Sequence, residues 1–400
     1  MNGPLPTLPP AGEGSAKARV GAALAVALVA LWCGPAASAD LNARLSEATL
    51  QQVFPGAQSV APAPGLPAAL AVTVGGNLAG YVFSTREVVN ATGYNGFPFD
   101  LIGGITLDGR VTGAALLEHH ESILGRGVGP EGVTKFLSGF AGATLDDWRA
   151  VNPDAMRGAS TSARLFKAGM QRSANQVFTT YVLGGARKVV TQPTLDQDTF
   201  APLTLDEQIA IGAVSHVVVT GAEMLAAFAR RGGAGAKPDE AIADPAQPFL
   251  DLYVALANPA GVGLNLFGDR RHALMMSRAA PDGVVIWLAS NGAFSFAGPS
   301  RFSAAAGYAF DRFLVVQGDK EARMTRDNYE WAIWLNGPRE NPKDFMAFFL
   351  RPSPIDALKP WHIEMAIPGT AADGTKIAVN YPVSYRLPER FILRPLPARV

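Results

Sequence analysis

From Leu41 to Phe54 (LNARLSEATLQQVF) the residues Leu41, Leu45, Ala48 and Val53 recur at near-helical spacing, which predicts one amphipathic helix ending before Pro55-Gly56. Such a helix would lie over a sheet, and β-rich runs follow it at once. Ala69 to Val74 and Leu78 to Phe83 are joined by Gly75-Gly76-Asn77, a tight-hairpin turn. Leu101 to Leu107 and Arg110 to Leu117 flank Asp108-Gly109, the strongest hairpin signal in the chain. Helical spacing then dominates at Glu131 to Phe140 and from Thr161 to Val177, so this half reads as α+β, with helices packed on an antiparallel sheet.

Periodicity fades between Val177 and Thr204, which predicts a link between two domains. Beyond it, Glu207 to Val214 and Gly221 to Arg231 read as helices, and Gly232 to Pro248 as a mobile Gly/Pro/Ala loop. The remainder reads as strand-rich. Val284 to Ala289 and Ala293 to Phe296 flank Asn291-Gly292, and further short apolar or alternating runs occupy Phe313 to Val316, Phe345 to Leu350, Ile363 to Ile367 and Ile377 to Tyr385. No internal repeat is evident.

One early apolar run belongs to neither half. Lys17 and Arg19 precede VGAALAVALVAL, Val20 to Leu31, and Ala37-Ser38-Ala39 forms an A-x-A site, the pattern of a secretory signal cut after Ala39. The alternative is a retained anchor helix over residues 20–39, with the apolar character extended through Trp32 and Cys33. No later stretch is long and apolar enough to span a membrane. Lys+Arg and Asp+Glu both total 34, so the net charge is zero and no basic face predicts direct nucleic-acid binding. Cys33 is the only cysteine, and its loss with a signal would leave no disulfide and no thiolate-held cluster. With 48% hydrophobic residues there is material for two cores.

Three segments carry candidate chemistry. In Asp154 to Ala163 (DAMRGASTSA), Gly158 and Ala159 allow close approach of a ligand, and the hydroxyls of Ser160, Thr161 and Ser162 crowd a helix start. A helix N-terminus presents free N–H groups and favours a phosphate; the plainer reading makes Ser160 an N-cap. In Thr92 to Asp100 (TGYNGFPFD), Gly93 and Gly96 permit close approach and Tyr94 offers a ring, or the segment is an ordinary turn. In Glu118-His119-His120-Glu121 the adjacent histidines of a strand point to opposite faces, which argues against one shared metal. Glu118 or His119 would instead tune a nearby redox group, or the segment is a solvated strand end.

The DAMRGAS segment resembles the flavinylation motif of periplasmic FMN-binding domains, and GYNGFPFDLIGGITLDGRVTGAALLEHHES resembles the core of the same domains. This resemblance implies FMN as cofactor, transferred from FAD by a periplasmic flavin transferase to form a phosphoester with Ser160. It implies cofactor contacts from Asp154, Gly158, Ala159, Thr161, Gly93, Tyr94, Glu118 and His119. Two departures are a Ser where Thr is commoner at the acceptor and Arg157 before Gly158.

Four further blocks, Asp251 to Phe267, Asn291 to Ser295, Phe310 to Asp319 and Tyr385 to Phe391, together with these segments resemble the extracytoplasmic region of the NosR/NirI family. The implied layout is a signal over 1–39, an FMN-binding domain over 40–185, a linker over 186–204 and a β-rich domain over 205–400. The implied function is a periplasmic, FMN-carrying redox accessory and regulator of nitrous oxide or nitrite respiration, electron-carrying rather than an enzyme with its own substrate. Its partners would be nitrous oxide reductase or its maturation factors, the flavin transferase and an inner-membrane iron-sulfur protein. The family continues into transmembrane helices and Cys clusters, whereas this sequence stops at Val400, so a truncated or split form, or a separate protein supplying that half, is expected. The alternative is a non-enzymatic binding or maturation module with a structural or sensory flavin. Within the blocks, Asn258, Asn265, Asp311, Arg312, Gln317 and Asp319 would form a docking face, or serve as turn residues and buried hydrogen-bonded polars.

Overall fold

In the computed structural model, residues 36–184, 190–298, 310–331 and 343–395 are described. Most of the expected signal or anchor, residues 1–35, lies outside them. The expected first helix is two: α1 (Ala36–Arg44) and α2 (Glu47–Val53), the second started by Ser46, whose side chain accepts from the Thr49 amide at 3.1 Å. Behind them β1 (Ser59–Pro62), β2 (Leu70–Val74) and β3 (Asn77–Ser84), then β4 (Asp100–Thr106) and β5 (Val111–Glu118) after a short helix α3 (Thr85–Val89), form an antiparallel sheet in sequence order. The helices α4 (Gly129–Ser138) and α5 (Ser160–Tyr181) complete this half.

Both faces of the sheet are covered, which explains why β4 reads as an unbroken buried run rather than an alternation. Val82, Ile102 and Ala115 join Leu41, Leu50 and Val53 in one cluster, while their neighbours Phe83, Leu101 and Ala114 join Phe166 and Met170 of α5 in another. The two covers press close at the centre. A Cβ on Gly103 would meet Met170 Sδ at 2.5 Å, and one on Gly104 would meet Val53 O at 2.4 Å.

In the second half, β6 (Thr194–Leu195) pairs with β17 (Ile392–Leu393) at the far end of the chain. Between them lie α6 (Leu205–Ala210), β7 (Ser215–Thr220), α7 (Gly221–Gly232), β8 (Lys237–Pro238), β9 (Pro248–Leu256), α8 (Ala260–Ala279), β10 (Val284–Ser290), β11 (Phe313–Gln317), β12 (Lys320–Ala322), β13 (Tyr329–Trp331), β14 (Asp344–Leu350), β15 (Trp361–Thr370) and β16 (Lys376–Tyr385). One sheet runs β13-β14-β10-β9-β7; the other runs β12-β11-β15-β16, with β8 also on β15. Phe348 of β14 meets Phe310 at 5.4 Å and Phe313 of β11 at 5.2 Å, joining the sheets through aromatic rings. α8 packs across β9, β10 and β14. The α+β class is therefore observed. Gly34–Val400 folds as one unit, with three hydrophobic clusters among the described residues.

Three further expectations change. The strand-rich remainder contains the 20-residue helix α8, hidden in the sequence because Gly268 (φ 68, ψ 170) breaks it and because its first part is buried all round. Ala293 to Phe296 is not a hairpin strand: the Ala293 and Phe294 amides bond Pro248 O at 3.3 Å and Phe249 O at 2.9 Å, so the segment runs beside the start of β9. The loop expected to be mobile, 232–248, is tied down by β8, by Lys376 on Asp239 at 2.9 Å and by Arg312 on Glu240.

α1 is fixed to the sheet by charge. Arg44 reaches two buried carboxylates, Asp100 at 2.7 Å and Glu87, and Asp100 also accepts from Ser84 Oγ at 2.6 Å. Burial pushes the Glu87 carboxyl up from 4.5 to about 7, with the Arg44 cation opposing it. The folded state thus holds this proton more tightly than the unfolded state, so its contribution is complete below about 4.5 and is lost as the pH rises through about 7. Urea midpoints measured across that window should fall more steeply for the wild type than for Glu87→Gln, and equal slopes would refute the assignment. Arg44→Ala, which strands both acids, should cost about 3 kcal/mol.

Candidate functional site

The segment after α3 turns sharply because Asn90 takes the left-handed conformation at the helix end (φ 47, ψ 52). Thr92 then pairs with Pro98, the Gly93 amide donates to Phe97 O at 2.9 Å, and Gly96 (φ +81) closes the turn on Gly93 O at 3.1 Å. Tyr94 stands at the tip, 60% exposed. Its amide donates to Glu121 Oε1 at 2.7 Å, and the other oxygen of that buried carboxylate accepts from Ser162 Oγ in the first turn of α5. One side chain therefore joins the Tyr94 turn to the helix start. It also explains Gly93, where a Cβ would stand 2.1 Å from Glu121 Oε1.

The start of α5 is bare. Gly158 turns the chain with φ +85, into space where a Cβ would meet nothing within 4 Å. Ala159 occupies the N-cap position and makes no side-chain cap bond, so Ser160 is the first helical residue rather than the cap. No acidic residue sits in this first turn, although α6 and α7 are each started by a complete Thr/Glu capping box. The early N–H groups of α5 thus lack the side-chain acceptor that starts α2, α3, α6 and α7, a lack shared by α4 and α8. They border a cleft of about 540 Å³ lined by Tyr94, Asn95, Glu121 to Ile123 and Gly158 to Ser162, within the ~300–1,000 Å³ usual for ligand sites.

Of the residues singled out from the sequence, Tyr94, Gly158, Ala159, Ser160 and Thr161 meet in this cleft. Gly93 lies behind Tyr94, against Glu121. His119 is exposed and its Nδ1 accepts from the Glu121 amide at 3.3 Å. Asp154 is exposed in a short turn (Pro153–Ala155) and is not among the lining residues. Glu118 points elsewhere, pairing with Arg86 at 2.6 Å and His120 at 3.3 Å. Sequence reasoning missed Glu121 and Ser162 as a pair; the acid was visible only as the last residue of Glu118-His119-His120-Glu121.

On its other side the Tyr94 turn is held by the second half. After the break at Gly268, the buried Asp269 accepts through Oδ1 from the Thr92 amide at 2.7 Å, Thr92 Oγ1 at 2.9 Å and the Arg270 amide at 2.6 Å. Its Oδ2 accepts from Arg172 of α5. The Asp269 amide in turn donates to Asn90 O at 3.2 Å, while Asn90 Nδ2 donates to Leu264 O at 2.6 Å. Arg270 Nη1 reaches Tyr94 O at 3.3 Å. A second cleft of about 540 Å³ opens there, lined by Thr92, Tyr94, Arg270, Arg271, Met275 and Glu330 among others.

No family model matches the chain. It is 28% identical over 362 residues, 86% of its length, to the regulatory protein NosR of Stutzerimonas stutzeri. It is 27% identical over 331 residues, 81% of its length, to the protein NirI of Paracoccus denitrificans. Over most of its length the chain is thus similar to NosR and NirI proteins. The regulatory protein NosR of Pseudomonas aeruginosa is also similar, 26% identical over 92% of the chain. The chain spans about half the length of these NosR and NirI relatives, 49%, 46% and 53% respectively. Among the described residues no helix is long and apolar enough to cross a membrane.

The polar residues in the NosR/NirI-like blocks divide between interior and surface. Asn258 is buried, with Oδ1 accepting from the Val285 amide at 2.7 Å and Nδ2 donating to Gly283 O at 3.0 Å. Asn265 bonds Leu203, Ala201 and Gly261. Arg312 pairs with Glu240, and Gln317 accepts from the Asp356 amide at 2.7 Å. These four hold segments together; Asp311 and Asp319 are exposed.

The contact of Gly93 with Glu121 gives a test by double-mutant cycle. Gly93→Ala alone should destabilise the chain by about 1–3 kcal/mol through overpacking. In the Glu121→Ala background the same change should cost less, leaving a coupling of at least ~0.5 kcal/mol; additive urea midpoints would remove Glu121 as the cause of the glycine.

Proposed function

We propose that this chain is an exported flavoprotein in which FMN is joined through a phosphoester to Ser160 and acts as the electron-carrying group of a redox and regulatory component of the nitrous oxide reductase system. The observation that carries this reading is the bare start of α5. Ser160 opens a helix with neither side-chain cap nor acid in its first turn, beside a cleft shared with Tyr94. That arrangement suits a phosphate, which a helix N-terminus attracts through its free N–H groups and its dipole.

The residues present fit such a group. The amides following Ala159 would hold the phosphate, Gly158 leaves room beside it, and the exposed Tyr94 ring would flank the isoalloxazine. Glu121 sets the distance between phosphate end and ring end, because it bonds both Tyr94 and Ser162. When bound, FMN supplies one- and two-electron transfer, with the protein setting its potential. The name "regulatory protein" carried by two similar chains supports the regulatory part of the reading. Its partners would be nitrous oxide reductase or a maturation factor, the flavin transferase that loads Ser160 and an inner-membrane iron-sulfur protein. Residues 20–39 would be the export signal or the hold on the membrane.

Co-expression with a periplasmic flavin transferase tests the attachment. The denatured band should fluoresce yellow-green and the intact mass should rise by one flavin phosphate. Ser160→Ala should abolish both signals and Ser160→Thr should keep them. A dark wild-type band of unchanged mass would overturn attachment at Ser160.

A further inference from the structure

We infer that the second half of the chain completes the flavin site by supplying Arg270 as the cation facing the electron-accepting end of the ring. The inference rests on the proposed flavin and goes beyond it by assigning the setting of its potential to a residue outside the FMN-binding half. Three contacts link the phosphate end to this arginine. Ser162 bonds Glu121, Glu121 bonds the Tyr94 amide, and Arg270 bonds the Tyr94 carbonyl. Tyr94 lines both clefts, so a ring lying along it from the α5 side points toward the second cleft, where Arg270 and Arg271 stand.

Arg270 is held there by construction. Its amide bonds Asp269 Oδ1 at 2.6 Å and Thr92 Oγ1 at 3.3 Å, and Asp269 is itself locked to Thr92 and Arg172. The arginine's backbone is thus fixed relative to the turn that carries Tyr94. Among the described residues the guanidinium of Arg270 makes no ion pair, and its hydrogen-bond acceptor is Tyr94 O. Burial lowers the pKa of the neighbouring Arg271, with the Arg270 charge adding to the effect and Glu330 opposing it, so two guanidinium groups and one carboxylate line this end of the cleft. A guanidinium there offsets the single negative charge left on the ring's N1–C2=O edge when two electrons and one proton are taken up. The cation therefore raises the potential.

The test is a potentiometric titration of the full flavin-loaded chain with dithionite as reductant. Arg270→Gln should lower the midpoint potential, by about 30 mV for each tenfold loss of preference for the reduced form in a two-electron couple. Arg270→Lys should retain most of the wild-type value. Arg231→Gln, which removes one charge from a separate groove beside α7, should leave it unchanged. Covalent fluorescence at Ser160 should be equal in all four proteins. Flavin-loaded wild type and Arg270→Gln with the same potential would overturn this inference alone, as would Arg270→Lys falling as far as Arg270→Gln. A wild-type chain that takes up no flavin would overturn the underlying reading with it.

Discussion

The carboxylate of Asp269 is the point on which the candidate site depends. It gathers the amide and hydroxyl of Thr92, the amide of Arg270 and the guanidinium of Arg172, drawing on the Tyr94 turn, α8 and α5 at once. A buried charge is costly unless it is paired and hydrogen-bonded, and here both oxygens are engaged. The turn bearing Tyr94 is consequently clamped between two acids, Glu121 on the α5 side and Asp269 on the other. Neither acid has to touch a ligand to decide where that ring stands.

Around this point the architecture follows from covering sheets on both faces. The first sheet is enclosed by α1 and α2 on one side and by α5 with its neighbours on the other, and its central glycines allow that approach. With the sheet held so firmly, the loops at its edge can remain open. The cleft sits where β5 has ended and α5 has just begun, at the margin of the core.

Much of the first half was legible in the sequence. Asp108-Gly109 marked the hairpin because a glycine there supplies the positive φ that such a turn needs. The hydroxyl-rich run that opens α5 marked a helix start, although it could not show that Ala159 rather than Ser160 would hold the cap position. The second half was less legible. Periodicity shows one buried face, and the first part of α8 is buried all round before Gly268 breaks the phase. Asn291-Gly292 looked like a hairpin turn, yet a Cβ on Gly292 would lie 2.3 Å from Phe249 O, so the glycine serves a backbone approach instead. Glu121 escaped notice for a different reason: its partner Ser162 is 41 residues away, and only the folded chain reveals the pair.

The distance along the chain between Thr92 and Asp269, 177 positions, bears on the order of assembly. Contacts between neighbours in sequence close early, and those across long separations close after the intervening chain has been organised. A chain emerging from its N-terminus can complete the first meander before residue 269 is available. During that interval the Tyr94 turn has its Glu121 tether but not its second one. Any factor that must enter the cleft would meet a looser entrance in the nascent protein than in the finished one.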